Sequence, residues 1–154
     1  MSKICSFFGH SDFWSSSERE RIIKAQIVDC IQNRGITHFL IGGYGEFDIF
    51  CAKYLRELRA IYPQIRTTLV LAYLGRKIDD FEREYIRQTF DSTIFPPIEN
   101  VPPRFAIVKR NEWIVRESDF VIFFVERAWG GAYQMLRYAR GRKKAFVNLG
   151  CGVV

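Results

Sequence analysis

Asp119-Phe120-Val121-Ile122-Phe123-Phe124-Val125-Glu126-Arg127-Ala128-Trp129-Gly130-Gly131 is the stretch on which the reading of this chain turns. Its first half is the most hydrophobic run in the sequence and shows no alternation of polar and apolar positions. A β-branched and aromatic run of that length reads as a central strand buried on both faces. The glycine pair then opens a segment carrying Ala132, Leu136 and Ala139 on one side and ending at Gly141. Strand, glycine turn and helix together form the repeating unit of a parallel α/β sheet.

The same unit recurs upstream. Ile4 to Phe8 is a short β-rich run ending at Gly9-His10-Ser11, and Ser17-Glu18-Arg19-Glu20 has the S-x-x-E form that starts a helix. Ile23, Ile27, Cys30 and Ile31 follow at helical spacing, with Gly35 where a C-terminal cap belongs. Thr37 to Ile41 is a second strand, closed by Gly42-Gly43-Tyr44-Gly45. A helix is expected from about Phe47 to Ile61, stopped by Pro63, and a third strand over Arg66 to Leu74.

Gly75 to Pro103 reads as an insertion at the sheet edge, a lid or a loop, with a short exposed helix over Arg76 to Gln88 and a short strand over Asp91 to Phe95. Pro103 suits the first position of a helix running to about Glu117, and Lys144 to Leu149 is the last strand. The expectation is one α/β domain over residues 1–154, a Rossmann-like three-layer sandwich with a mostly parallel central sheet.

Composition agrees with one globular core: 154 residues, 48% hydrophobic and 26% charged. No apolar run approaches the roughly 18 residues of a membrane helix, and the first residues lack a signal-peptide pattern, so a cytoplasmic protein without a membrane partner is expected. Cys5, Cys30, Cys51 and Cys151 form no C-x-x-C pair, and His10 and His38 are the only histidines. Neither a metal site nor a disulfide framework is expected, and no cofactor. The net charge of +6 favours an anionic partner. Its densest cluster, Arg137, Arg140, Arg142, Lys143 and Lys144, reads as a solvated helix end whose charge opposes the macrodipole.

In a doubly wound sheet, ligands bind outside the carboxyl ends of the strands, where strand order reverses. Three expected strand ends carry glycine: Gly9, then Gly42, Gly43 and Gly45, then Gly130 and Gly131. Glycine there lets the backbone approach a phosphate, and the helix that follows offers free N–H groups with a partial positive charge. Ligand-binding candidates are therefore Gly9, His10, Ser11, Gly42, Gly43, Tyr44, Gly45, Glu46, Asp48, Trp129, Gly130 and Gly131. His10 reads either as a hydrogen-bonding partner of a ribose or base, or as a polar cap on its strand. Glu46 and Asp48 read as acceptors for ribose hydroxyls, or as acidic residues drawn to a helix start. Arg110 and Asn111 interrupt the apolar stripe between Ile107 and Ile114, and a buried guanidinium there needs an anionic partner, a ligand phosphate or a carboxylate such as Asp48.

Phe8-Gly9-His10-Ser11, Ile41-Gly42-Gly43-Tyr44-Gly45-Glu46-Phe47-Asp48 and Trp129-Gly130-Gly131 together resemble the SLOG superfamily. That group joins the LOG phosphoribohydrolases, the Smf/DprA DNA-processing proteins and small stand-alone YpsA-like members. The likeness runs over nearly the whole chain and is closest to the stand-alone members, in which Arg104 and the pair Arg110-Asn111 match a recurring feature. It implies a Rossmann-like nucleotide-binding domain. LOG enzymes continue their glycine turn with a threonine and a catalytic glutamate, whereas here Ala132, Tyr133, Gln134, Met135 and Leu136 follow. No catalytic residue is assigned on this basis.

Three functions follow in order: binding or sensing of a nucleotide or nucleotide-derived small molecule, cleavage of an N-glycosidic bond with Glu46, Asp48 or Glu126 as the carboxylate, and DprA-like nucleic-acid binding. The last is placed behind the others because no basic patch interleaved with exposed aromatics is visible in the sequence. Association into a homo-oligomer is left open.

Overall fold

A computed structural model describes residues 2–43 and 45–152. The chain runs β1 (Lys3–Gly9), α1 (Ser17–Asn33), β2 (Ile36–Ile41), α2 (Glu46–Leu58), β3 (Arg66–Val70), α3 (Asp80–Thr89), β4 (Ser92–Ile94), a 3₁₀ turn (Pro103–Phe105), α4 (Ala106–Glu117), β5 (Phe120–Phe124), α5 (Gly131–Gly141) and β6 (Ala145–Asn148). The strands form one sheet in the order β4-β3-β2-β1-β5-β6, and every neighbouring pair is parallel. The fold is thus an α/β sandwich of the Rossmann-like kind, with helices on both faces.

Strand periodicity divides the core in two, because successive side chains point to opposite faces. Phe7, Phe39 and Ile122 join Ile23, Ile27, Leu55 and Leu58 of α1 and α2 on one face. Phe8, Leu40 and Phe123 join Ile114, Val115, Met135, Leu136 and Ala139 of α4 and α5 on the other. Cys5, Cys30 and Cys51 are wholly buried and serve as small apolar residues.

From β1 the chain moves outward through β2, β3 and β4, then crosses back so that β5 flanks β1 on its other side. Strand order therefore reverses between β1 and β5. This seam is fastened at its base by polar groups. Asp119 accepts the Ile4 N–H through Oδ2 at 2.8 Å and donates its own N–H to Ile4 O at 2.7 Å. Ser118 Oγ lies 2.7 Å from Ser6 Oγ and donates to Ile114 O at 2.6 Å, all three groups buried. A hydroxyl carries a single hydrogen, so Ser6 is the donor to Ser118.

The third strand is shorter than the sequence suggests, ending at Val70 rather than near Leu74. Leu71-Ala72-Tyr73-Leu74 is apolar because it lines a cavity, not because it continues the strand. The expected helix after it begins at Asp80, where Asp79 caps it by accepting the Glu82 N–H at 2.7 Å. With β3 before it and β4 after it, this helix completes a further strand–helix–strand unit, so 75–103 holds a helix and a strand of the sheet. Pro103 opens a 3₁₀ turn, and α4 itself starts at Ala106.

Ser118→Ala should cost about 1–3 kcal/mol, since it leaves the buried Ser6 hydroxyl without its acceptor. Thermal melts should show a fall of several degrees with the same secondary structure by circular dichroism.

Candidate functional site

Because all strands are parallel, the ends of β1, β2, β3 and β5 open on one edge of the sheet. The candidate residues fall there in two groups. One surrounds the β1/β5 seam; the other lies between the ends of β2 and β3. Tyr44 lies outside the described residues.

At the seam, His10 is buried and its Nε2 accepts the Glu126 N–H at 3.0 Å. The hydrogen bond joins the chain leaving β1 to the chain leaving β5, and it places the neutral ring's proton on Nδ1. Burial, helped by the nearby Arg127 charge, pulls the His10 pKa below the ordinary imidazole value. Two further ties cross the seam: Arg19 of α1 to Glu126 at 2.6 Å, and Arg127 to Asp12 at 3.1 Å. The hydrogen bonds from Arg127 hold the Asp12 carboxyl below its usual range.

Each of these arginines stacks on an exposed tryptophan. Arg19 lies 4.0 Å from the Trp14 ring centre and Arg127 4.0 Å from that of Trp129. Trp14 and Trp129 are 62% and 64% exposed, so each presents aromatic surface to solvent beside a guanidinium. Trp129 stood among the candidates, but Trp14 did not.

Two helix N-termini flank this seam. Gly45 caps α2 at φ +87° and Gly130 caps α5 at φ +94°, neither with a side-chain cap. They differ in what surrounds them. A Cβ on Gly45 would stand 2.7 Å from Ser11 Cα, and the Glu46 N–H donates to Ser11 O at 3.2 Å. The opening turn of α2 thus packs on the β1 loop, with Glu46 exposed beside it. Around Gly130 and Gly131 there is nothing within 4 Å of an added Cβ, and the first turn of α5 carries no acidic residue. The N–H groups of this turn have no side-chain cap, and no acidic residue of the turn itself offsets their partial positive charge.

Gly9 has a structural reason to be glycine, since a Cβ there would meet the Phe47 ring at 2.4 Å. Gly43 has φ +81°, which favours glycine, and a Cβ there would displace the Leu69 Cδ1 methyl 2.6 Å away. Both turns are tight because of the fold.

In the second group, Arg110 is almost wholly buried. Its Nη1 donates to Gly42 O at 2.9 Å and to Val70 O at 2.8 Å, and its Nε donates to Asn111 Oδ1 at 2.8 Å. The sequence points to a phosphate or a carboxylate as its partner. The structure adds the carbonyls at the ends of β2 and β3, which Arg110 clips together. Gly42, Gly43, Asp48 and Arg110 line a cavity of about 640 Å³ that reaches to α3. Arg104 is exposed on the 3₁₀ turn, 4.7 Å from the Phe105 ring centre. A second hollow of about 660 Å³ lies at the opposite edge of the sheet, by Lys3, Arg34 and Asp119, where no candidate residue falls.

Among the described residues, no group of three or more His, Cys, Asp or Glu side chains could hold a metal ion, and no helix is long and apolar enough to cross a membrane.

No family model and no curated protein sequence matches the chain. Solved structures do. DNA processing protein A from Helicobacter pylori, described with a single-stranded DNA binding mode, aligns at a TM-score of 0.65 and 15% identity over 94% of this chain and 63% of its own. DNA processing protein A from Streptococcus pneumoniae aligns at 0.61 and 12% identity, over 99% of this chain and 52% of its own. The Moco carrier protein of Chlamydomonas rheinhardtii aligns at 0.56 and 17%, over 97% and 77%. This chain is thus well short of the full length of either DNA processing protein. At these identities the likeness is one of fold, and it is the fold that the sequence resemblance implied.

Two measurements test the site's framework. Arg110→Ala should destabilise the ligand-free protein, at about 1–3 kcal/mol for each carbonyl of Gly42 and Val70 left without a donor; an unchanged melting temperature would show that neither bond matters. For His10 the folded pKa lies below the unfolded value near 6.5, so its stabilisation is present above that pH and is lost as pH falls through the folded pKa. His38, also lowered by burial, acts in the same direction. Melts from about pH 7.5 to about pH 5 should fall less steeply for His10→Gln, which keeps an acceptor for Glu126 but cannot titrate there.

Proposed function

We propose that this protein binds a nucleotide or nucleotide-derived anion at the β1/β5 seam, with the phosphate held at the opening turn of α5. The observation that carries the reading is the state of that turn. Gly130 and Gly131 stand in open space, the first helical N–H groups have no side-chain cap, and no acidic residue neutralises them. Such a terminus, at the place where strand order reverses, is suited to an anion. Trp129 beside it, backed by Arg127, supplies a flat surface for a base. The net charge of +6 favours the same class of ligand.

A binding or sensing role is preferred to hydrolysis. Of the carboxylates offered for cleavage, Glu126 is paired with Arg19, Asp48 lines the other cavity, and Glu46 is exposed to solvent beside the seam.

The exposed pair Trp14 and Trp129 supports a second reading, single-stranded nucleic acid, since stacked aromatics beside arginines suit successive bases. One experiment separates the two. Binding of AMP, ADP and NAD, and of an oligothymidine, is measured for wild type, Gly131→Asp and Trp14→Ala. Gly131→Asp sits at a helical position with free space and adds a charge favourable to the helix, so its melting temperature should hold or rise. It should weaken nucleotide binding roughly tenfold or more, whereas Trp14→Ala should leave nucleotides little affected. Tight oligothymidine binding, lost by about 1–3 kcal/mol in Trp14→Ala and falling steeply with salt, would decide for the nucleic acid. No binding of any of these would defeat both readings.

A further inference from the structure

We infer that the cavity between the ends of β2 and β3, α2 and α3 is a second ligand site, built for a small molecule with a flat aromatic body and one anionic group. It is distinct from the α5 turn and does not depend on what binds there.

Its size of about 640 Å³ is in the usual range for small-molecule sites, roughly 300–1,000 Å³. Its walls are mainly apolar: Ile49 from α2, Leu71 just past β3, and Leu74, Phe81 and Tyr85 from the segment that follows. Several of these side chains are left open to solvent, Leu74 at 66% and Phe81 at 85%. Large apolar groups gathered on both sides of one cleft mark a place where apolar surface is to be covered. An aromatic body gains most in such a slot, because it buries a large area with few rotatable bonds to freeze.

Polar groups sit at two levels. Asp48 and Arg110, both buried, are at the inner end with the peptide groups of Gly42 and Gly43. Arg110 is oriented by the carbonyls of Gly42 and Val70, so its position does not wait on a ligand. The cavity also takes in Arg76, Glu82 and Arg83 of the outer segment. Arg76 is paired with Glu82, whereas Arg83 is exposed and makes no ion pair among the described residues. The charged side chains of the cavity are three arginines and two carboxylates. A single negative group on the ligand balances that excess, and Arg83 is the cation left to meet it. Carboxylate, sulfonate and phosphate share this chemistry.

The probe is 8-anilinonaphthalene-1-sulfonate, an aromatic body with one anion, titrated by fluorescence into the native full chain. Saturable binding at one site is expected, and weaker binding of the neutral N-phenyl-1-naphthylamine. Ile49→Trp fills the cleft from a partly exposed position and should weaken the sulfonate roughly tenfold or more. Phe81→Ser changes a side chain that holds no core contact and should weaken both probes without lowering the melting temperature. Arg83→Glu should weaken the sulfonate about three- to fivefold and leave the neutral probe unchanged. Gly131→Asp should leave both probes bound as in wild type. Non-saturable binding, indifference to both Ile49→Trp and Phe81→Ser, or loss of binding in Gly131→Asp would overturn the assignment. Equal response of the two probes to Arg83→Glu would overturn its anionic part.

Discussion

The upper edge of the sheet takes its shape from the way β5 is fastened to β1. The two strands meet only after more than a hundred residues of intervening chain, and hydrogen bonds from polar side chains hold them at both ends. Ser6, Ser118 and Asp119 close the base of the seam, while His10 takes the Glu126 N–H at its top. A buried hydroxyl or imidazole is costly unless partnered, so these groups specify one register rather than merely adding attraction. Once that register is set, the loops leaving β1 and β5 run side by side. Asp12 and Arg127, then Arg19 and Glu126, can reach across. The tryptophans beside those arginines and the opening turn of α5 take their places from the same seam.

Glycine has two separate roles along this edge. At Gly9 and Gly45 the missing side chain is a packing requirement, set by Phe47 and Ser11 in turn, and at Gly43 the positive φ calls for glycine. Gly150 belongs with them, because a Cβ there would stand 2.3 Å from Val125 O. At Gly130 positive φ is required, but nothing occupies the space above it, and Gly131 is likewise open. Only the second kind of turn has open space where a side chain would stand. A glycine-rich sequence does not distinguish the two, since a neighbour's ring and a ligand's phosphate impose the same residue.

Arg110 shows how a buried charge can serve the framework and a pocket together. Its hydrogen bonds to Gly42 O and Val70 O join two strands beyond the point where their ladder ends. The same guanidinium forms part of a cavity wall. Holding it by main-chain carbonyls keeps the positive charge at a set position beside Asp48 and the glycine peptides. A cavity lined this way presents a fixed electrostatic pattern to whatever enters it, which limits the reorganisation that binding costs.

Local patterns in the sequence determined the order and type of nearly all the elements, the parallel character of the sheet and the edge on which its glycine turns lie. Those properties depend on hydrophobic period and turn chemistry, which act over a few residues. The end of β3 was misread for a related reason: Leu71 to Leu74 is as apolar as a strand, and periodicity cannot distinguish a sheet from a cavity wall. Tertiary structure alone decided that the candidates split between two places, that His10 and Arg110 bind backbone groups, and that Trp14 lies across the seam from Trp129. Each of these facts joins residues far apart in the chain, 68 positions for Arg110 and Gly42 and 116 for His10 and Glu126. No local pattern encodes such a meeting. It arises only when the strands are laid in order and their ends are brought to one edge.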